Sequence, residues 1–422
     1  MCTLPPSGST LEDVMAGLRA LQVNDGDYHN ARTWGLIYNA GPDVDAVVEA
    51  AAGHVLLENA LNPFVFPSLR EMQRDVVSIA TGILHGGEDV GGAMTSGGTE
   101  SIFMAVKTAR DRARAERGIE HGRMVLPRTA HPAFVKAAHY LDVEMTRLPL
   151  GDDLRTYASA LEGAIAPDTV LVVGSSPAYP FGMIDPIPKM AAIAAQAGVP
   201  FHVDACLGGF MLPWLERLGI AVPPWDFRVP GVTSMSADLH KYGFAIKGAS
   251  VVLHRPKTNL RYQVFHFDDW PGGAYGTQAF LGTKPAAPIA AAWAVLHYLG
   301  EEGYVRLASD TMDATRKLIA GVEAIDGIHV WGVPEMSVVA IGSERHDIFA
   351  IGDALNARGW HFDRQDHPAS LHFMASPRHL LVVDEFLADL RAAVEHNAGI
   401  STTAATYGDD VSAEAAAPAV TP

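Results

Sequence analysis

The sequence predicts an α/β protein, with a large domain on a mainly parallel sheet and a smaller α+β C-terminal domain after it. Three observations carry that expectation. At 422 residues the chain exceeds the roughly 250 to 300 residues at which a single core stops growing. Short apolar segments alternate with helical patterns through most of the chain, as right-handed crossovers between parallel strands require. Beyond Pro285 the alternation gives way to a long helical region and a different mix of elements.

Taken in order, residues 1–55 read as an N-terminal segment and 56–285 as the large domain. Within the latter, residues 124–127, 143–149, 170–174, 199–203 and 249–254 read as strands, several of them apolar throughout, as strands covered on both faces should be. Residues 100–115 read as a helix, with Ile102, Phe103, Val106, Ala109 and Ala113 on one side. A second helix, 188–197, stops at Gly198, a common helix-ending residue. In the small domain, 286–398, a helical region spans 289–325 and strands are expected at 328–333 and 337–341. A helix at 348–358 follows, then strands near His361 and His372 and a last helix at 383–396. From Gly399 to residue 422, Thr, Ala and acidic residues without periodicity predict a disordered tail.

Composition narrows the function. Apolar residues are 48% and charged residues 19%, as in a well-filled globular protein. The formal net charge of −17 argues against a nucleic-acid partner, because phosphate backbones are bound by basic faces. No apolar run reaches the ~18 residues of a membrane span, and the first residues lack a basic start and an apolar core, so a soluble, cytoplasmic protein without a transmembrane segment is expected. The two cysteines, Cys2 and Cys206, make neither a disulfide framework nor a zinc site, and no metal is expected.

Three places carry chemistry. Residues 95–101, TSGGTES, precede a strong helix, where glycines and free N–H groups can cradle a phosphate; the same residue types also populate ordinary turns. Neither G-x-x-x-x-G-K-[ST] nor a strand-linked G-x-G-x-x-G is present, which weakens a nucleotide reading. Asp204 ends the apolar segment FHVDAC, where a carboxylate should meet a cation or a strong donor, or cap the following turn. Lys241, in SADLHKYGFAIKG, is either a solvated lysine beside a strand or, in a partly desolvated site, a lysine with lowered proton affinity that attacks aldehydes. A phosphate cradle, a strand-end acid and a lysine in this order have one economical joint explanation, pyridoxal 5'-phosphate.

SGGTES, HPAFVKAAHY, HVDACLGGF and SADLHKYGFAIKG together resemble the group II pyridoxal-phosphate-dependent decarboxylase superfamily, in particular its sphingosine-1-phosphate lyase branch, over residues 32–284. The resemblance implies pyridoxal-phosphate fold type I, the aspartate aminotransferase-like architecture. It implies that Lys241 carries the cofactor as a Schiff base, that Asp204 pairs with the ring nitrogen and that His131 stacks on the ring. Gly98, Thr99 and His240 would lie around the cofactor phosphate, with Ser175 and His202 close by. Lys247 stands at the lysine position of the lyase-like HKYG-x-x-x-KG, where it would bind the substrate phosphate; the bland alternative is a solvated strand-edge lysine. Tyr242 stands where many amino-acid decarboxylases of the superfamily carry Trp, and Asp238 fits the lyase-like SAD-x-HK.

Departures fall on the substrate side. Tyr38 and Asn59 are the candidate substrate-binding residues there, but Trp34 replaces a serine before Tyr38. Ala60 and Asn62 replace a proline and a histidine after Asn59, and Lys284 stands for an arginine. The leading reading is a carbon–carbon lyase acting on a phosphorylated, long-chain amino alcohol such as sphingosine 1-phosphate, releasing an aldehyde and phosphoethanolamine. The alternative is an amino-acid decarboxylase, with a non-catalytic binding module behind both. The superfamily also implies a homodimer in which the loop at 273–284 reaches the neighbouring subunit's cofactor; closed two-fold dimers are the commonest soluble assembly.

Overall fold

The computed structural model describes residues 3–396 and 399–408. Its centre is a seven-stranded sheet. The strands are β1 (Gly91–Thr95), β2 (Arg123–Pro127), β3 (Glu144–Leu148), β4 (Thr169–Ser175), β5 (Phe201–Asp204), β6 (Val232–Ala237) and β7 (Ser250–His254), in the order β1-β7-β6-β5-β4-β2-β3. From β6 to β3 every pairing is parallel. Only β7 runs antiparallel to its neighbours β6 and β1.

Burial on both faces explains the apolar strand sequences. All seven residues of β4 are buried. Because side chains alternate across a strand, Val172 joins Phe201, Val203, Ile187 and Met190 on one face. Leu171 and Val173 meet Ile102 and Phe134 on the other. The helix covering that second face, Gly98–Arg117, extends the expected one by two residues at each end and stops at Gly118, whose φ of 66° is the left-handed conformation glycine tolerates. Two elements at the head of the large domain escaped the sequence pattern, the helix Pro67–Ile83 and strand β1, which opens with two glycines.

After the hairpin of β8 (Phe265–Phe267) and β9 (Tyr275–Thr277), one helix, Ala287–Glu323, leads into a second sheet. Gly300 interrupts it, with φ 55° and ψ −173°. That sheet, β10 (His329–Val330), β11 (Val338–Gly342), β12 (Asp363–Asp366) and β13 (Ala369–Met374), is antiparallel in the order β10-β11-β13-β12. Its core includes Val339, Ile341, Leu371 and Phe373 against Ile348, Leu355 and Phe386. Trp34 joins this core from the far end of the chain: fully buried, it stacks on His379 at 4.0 Å and meets Phe373 edge-on. The backbone follows, as Trp34 N–H donates to the His361 carbonyl and the Trp34 carbonyl accepts from Met374 N–H.

The tail departs from the composition-based expectation. Residues 399–408 run back along the small domain, where Ser401 hydrogen-bonds Asp347 and Asp353. Residues 409–422 lie outside the described residues.

Candidate active site

Open α/β sheets bind ligands beyond the C-terminal ends of their strands, and the chain gathers its titratable groups there. β1 delivers Ser96–Gly98, β5 delivers Asp204 and β6 delivers Asp238, His240 and Lys241. Together with Thr99, His131, Cys206 and Tyr407 they line a cavity of about 260 Å3.

Its floor is built around a glycine. A Cβ on Gly98 would lie 2.6 Å from Asp238 Oδ2 and 2.9 Å from Cys206 Sγ, so only glycine brings this helix N-terminus so close to the strand ends. The amides of its first turn have no intrahelical partner and can bind a phosphate. Glu100, buried one turn in, accepts from Ser96 N–H at 2.6 Å and from Phe280 N–H at 2.5 Å, tying this loop to the 275–284 segment. Sequence reasoning quoted Glu100 without seeing that tie.

Asp204 accepts from Cys206 N–H and from Ser236 Oγ, both at 3.1 Å and both at Oδ1. No described residue hydrogen-bonds its Oδ2, which leaves that oxygen for a donor in the cavity. His202 lies behind this acid rather than in the cavity. Its ring nitrogens meet Ser234 at 2.9 Å and Ser236 at 3.3 Å, and burial pushes its pKa down to about 4, so it is neutral. Ser175 is likewise behind the wall, with Ser175 N–H donating to Asp185 and Oγ buried without a partner.

Lys241 differs from the sequence expectation. Burial is the largest single influence and disfavours its ammonium, but the Asp238 carboxylate 3.1 Å away, together with Tyr38, Cys206 and Asp204, outweighs it, and the lysine is held above its ordinary value. Asp238 is only 1% exposed; burial pushes its acidity down, yet Lys241 and His240 win and hold it ionised. A buried charge survives only when paired; the pair balances the two charges, while both Asp238 oxygens otherwise lack a hydrogen-bond donor among the described residues. Burial lowers the His240 pKa, against the opposing pull of Asp238. Burial likewise lowers His131, opposed first by Asp204.

Beyond Lys241 lies a second group. Lys247 donates to the His240 carbonyl at 3.1 Å and sits 5.2 Å from the centre of the Tyr38 ring, within cation–π range. Burial, reinforced by Lys241, pulls its pKa down to about 8. Tyr38 packs edge-on against Tyr242 at 4.8 Å, and Tyr242 donates to the Ala375 carbonyl while accepting from Ser337. Tyr242 is thus a tie between the two sheets.

Two site residues carried no sequence expectation. Tyr179 follows the end of β4; its hydroxyl donates to Asp363 at 2.7 Å and its ring stacks on His372 at 4.2 Å. The rule that ligands sit beyond strand ends could have found it. Tyr407, which meets His131 at 3.1 Å, had no signal at all. Conversely, Asn59 is not brought to this cavity. Its side-chain oxygen accepts from Leu61 N–H at 2.9 Å and Lys284 N–H at 3.3 Å, joining the N-terminal segment to the end of the 275–284 loop. Lys284 lines a separate small cavity with Ser96, Glu100 and Gly248.

A helix N-terminus opened by glycine, an acid with an uncommitted oxygen and a lysine within one cavity fit pyridoxal 5'-phosphate. Comparison with known proteins agrees. A profile described as the pyridoxal-dependent decarboxylase conserved domain matches residues 58–341. The chain belongs to the pyridoxal-dependent decarboxylase family. Its fold is pyridoxal-phosphate fold type I and pyridoxal 5'-phosphate is its cofactor. Within this decarboxylase family it is 39% identical to sphingosine-1-phosphate lyase 1 of Mus musculus, over 93% of this chain and 69% of that protein. It is 38% identical to the sphingosine-1-phosphate lyase of Arabidopsis thaliana, over 90% and 72%. The solved sphingosine-1-phosphate lyase of Burkholderia pseudomallei K96243 superposes with a TM-score of 0.91 at 38% identity, covering 94% of this chain and 93% of that one. Glutamate decarboxylase of Lactobacillus brevis shares the fold, with a TM-score of 0.82 at 19% identity. Among these family members the chain is a pyridoxal-phosphate-dependent lyase.

Proposed function

We propose that this lyase cleaves the carbon–carbon bond of a phosphorylated, long-chain amino alcohol of the sphingosine 1-phosphate type, giving an aldehyde and phosphoethanolamine. The observation that carries the reading is Lys247, an ammonium set against the Tyr38 ring and beside Lys241, accessible from solvent so that an anionic substrate group can meet it.

The bound cofactor supplies an electron sink for the bond broken at the amino-bearing carbon. Gly98, Thr99 and His240 would hold its phosphate, and His131 would lie against its ring. Asp204 keeps the ring nitrogen protonated, its own charge fixed by Cys206 N–H and Ser236. Lys241 would be the residue that carries the cofactor, and its Nζ could give or take a proton, with Asp238 stabilising its charged form. In the overall reaction the 3-hydroxyl loses its proton, the bond between the second and third carbons breaks, and the second carbon gains a proton. Lys247 binds the substrate phosphate as a point charge.

The same reading makes the protein a cytoplasmic homodimer. The hairpin preceding Lys284 exposes Phe265, Phe267 and Trp270, and the helix Leu11–Leu21 exposes Leu11, Val14, Leu18 and Leu21. Such apolar stripes on a soluble chain mark a contact surface. Among the described residues no helix is long and apolar enough to cross a membrane.

Incubating the holoenzyme with sphingosine 1-phosphate, with sphingosine and with a panel of amino acids, then weighing the products, tests this. An aldehyde and phosphoethanolamine from the phosphorylated amino alcohol are expected. Carbon dioxide from an amino acid, with neither amino alcohol consumed, overturns it in favour of a decarboxylase.

A further inference from the structure

The geometry points to Tyr407 as a positioning residue for His131, delivered by a strap formed from residues 399–408. The inference rests on His131 lying against the cofactor ring.

The strap is anchored before it reaches the cavity. Ser401 Oγ donates to Asp353 at 2.6 Å, Ser401 N–H to Asp347 at 2.9 Å and Thr403 Oγ1 to Asp353 at 2.9 Å. Neither acid depends on the strap for its place. Asp347 also caps the helix Ile348–Asn356, and Asp353 accepts from Arg364 at 2.7 Å. From these anchors the chain carries Tyr407 into the wall of the cavity that holds Lys241, Asp204 and His131. Its ring centre lies 5.1 Å from that of Tyr179 and 5.7 Å from that of His131.

The hydrogen bonds then fix a tautomer. Ala133 N–H donates to His131 Nδ1 at 3.1 Å, so that nitrogen is the acceptor. In a neutral imidazole the proton must sit on Nε2, which faces the Tyr407 hydroxyl at 3.1 Å. Tyr407 therefore accepts from His131 and keeps its own O–H to donate elsewhere. The imidazole is held at both nitrogens, one by the helix Ala133–Leu141 and one by the strap. A ring fixed at two points has one tilt available against a neighbouring plane; with Nε2 released it can rock about the Nδ1 contact.

The test compares Tyr407→Phe, His131→Ala and a chain ended after residue 398, each as holoenzyme, with the wild type. Visible circular dichroism of the bound cofactor, recorded without substrate, reads the environment of its ring whatever the substrate proves to be. Tyr407→Phe keeps the aromatic ring and loses only the hydrogen bond. It is expected to alter that band and to lower kcat about fivefold, the size of one neutral hydrogen bond, with KM within about twofold. The shortened chain should show at least the same change. If His131→Ala alters the band while Tyr407→Phe leaves both band and kcat at wild-type values, the strap's role is overturned and the histidine's stands. If His131→Ala itself leaves the band unchanged, the placement of His131 fails, and this inference with it.

Discussion

The floor and the far wall of the cavity are built on different plans. The floor comes from one unit: Gly98, Asp204, Asp238 and Lys241 all lie just beyond strands of a single sheet, locked by buried partners such as Ser236 and Cys206. The wall is assembled from remote pieces. Tyr407, from the tail, lines the cavity itself, and around it stand Tyr179 from the segment after β4, Tyr38 from the N-terminal segment and Lys247 from the turn before β7. A floor of this kind sets which chemistry is possible. A wall of this kind can change piece by piece and sets which molecule undergoes it; of the departures from the lyase pattern, Trp34 is core of the small domain and Lys284 lines a separate cavity.

If that division holds, damage to the floor should be indifferent to substrate. Lys241→Ala is expected to abolish turnover, and borohydride should fix cofactor to the Lys241 peptide of the wild type only; a fixed label elsewhere breaks the comparison at its base. Asp204→Ala should cost roughly a thousandfold in kcat with any substrate, as loss of a preorganised charge contact does, measured at saturating cofactor.

Damage to the wall should discriminate. Lys247→Ala removes a charge-assisted contact of about 1.5 to 3 kcal/mol. That corresponds to about a ten- to hundredfold drop in kcat/KM for the phosphorylated amino alcohol, and little change for its dephosphorylated form. An equal loss on both would place Lys247 with the floor.

Proton affinity sharpens the same point. Burial brings Lys247 to about 8, so its charge is present below that pH and lost above it. In the free enzyme, kcat/KM for the phosphorylated substrate should fall as pH rises through about 8. Lys247→Arg, always charged, should flatten that limb even where its activity is lower. The smallest effect belongs to the seam between the two sheets. Tyr242→Phe leaves the Ala375 carbonyl and the Ser337 hydroxyl without their shared partner. It should cost about 1 to 3 kcal/mol in a denaturant titration, with cofactor still bound.

The difference in plan also explains what the sequence could show. Strands buried on both faces leave continuous apolar runs, and the residues just past them are readable; Asp204, Lys241 and the TSGGTES loop stand out for that reason. What depends on how side chains meet in the folded chain was hidden. Asp238 is needed to see that Lys241 is charged rather than neutralised by burial. His202, one residue pair before Asp204, looks like a ligand residue until Ser234 and Ser236 are seen to satisfy it. Trp34 reads as a substitution near a substrate group and proves to be core of the small domain. Tyr407 sits in a stretch whose composition carries no structural period, and only its anchors on Asp347 and Asp353 give it a place.

The seating of Trp34 has a consequence for the order in which the protein comes into being. Domains form as units while a chain is still being synthesised, from the N-terminal end, and every floor residue from Gly98 to Lys241 lies before residue 250. The segment with Trp34 and Tyr38 is made before all of them, yet its partners His361, Met374 and His379 follow more than a hundred residues after Lys241. It must wait, undocked, for more than three hundred residues of translation. A nascent chain can thus complete the floor of this cavity well before Tyr38 is seated beside it.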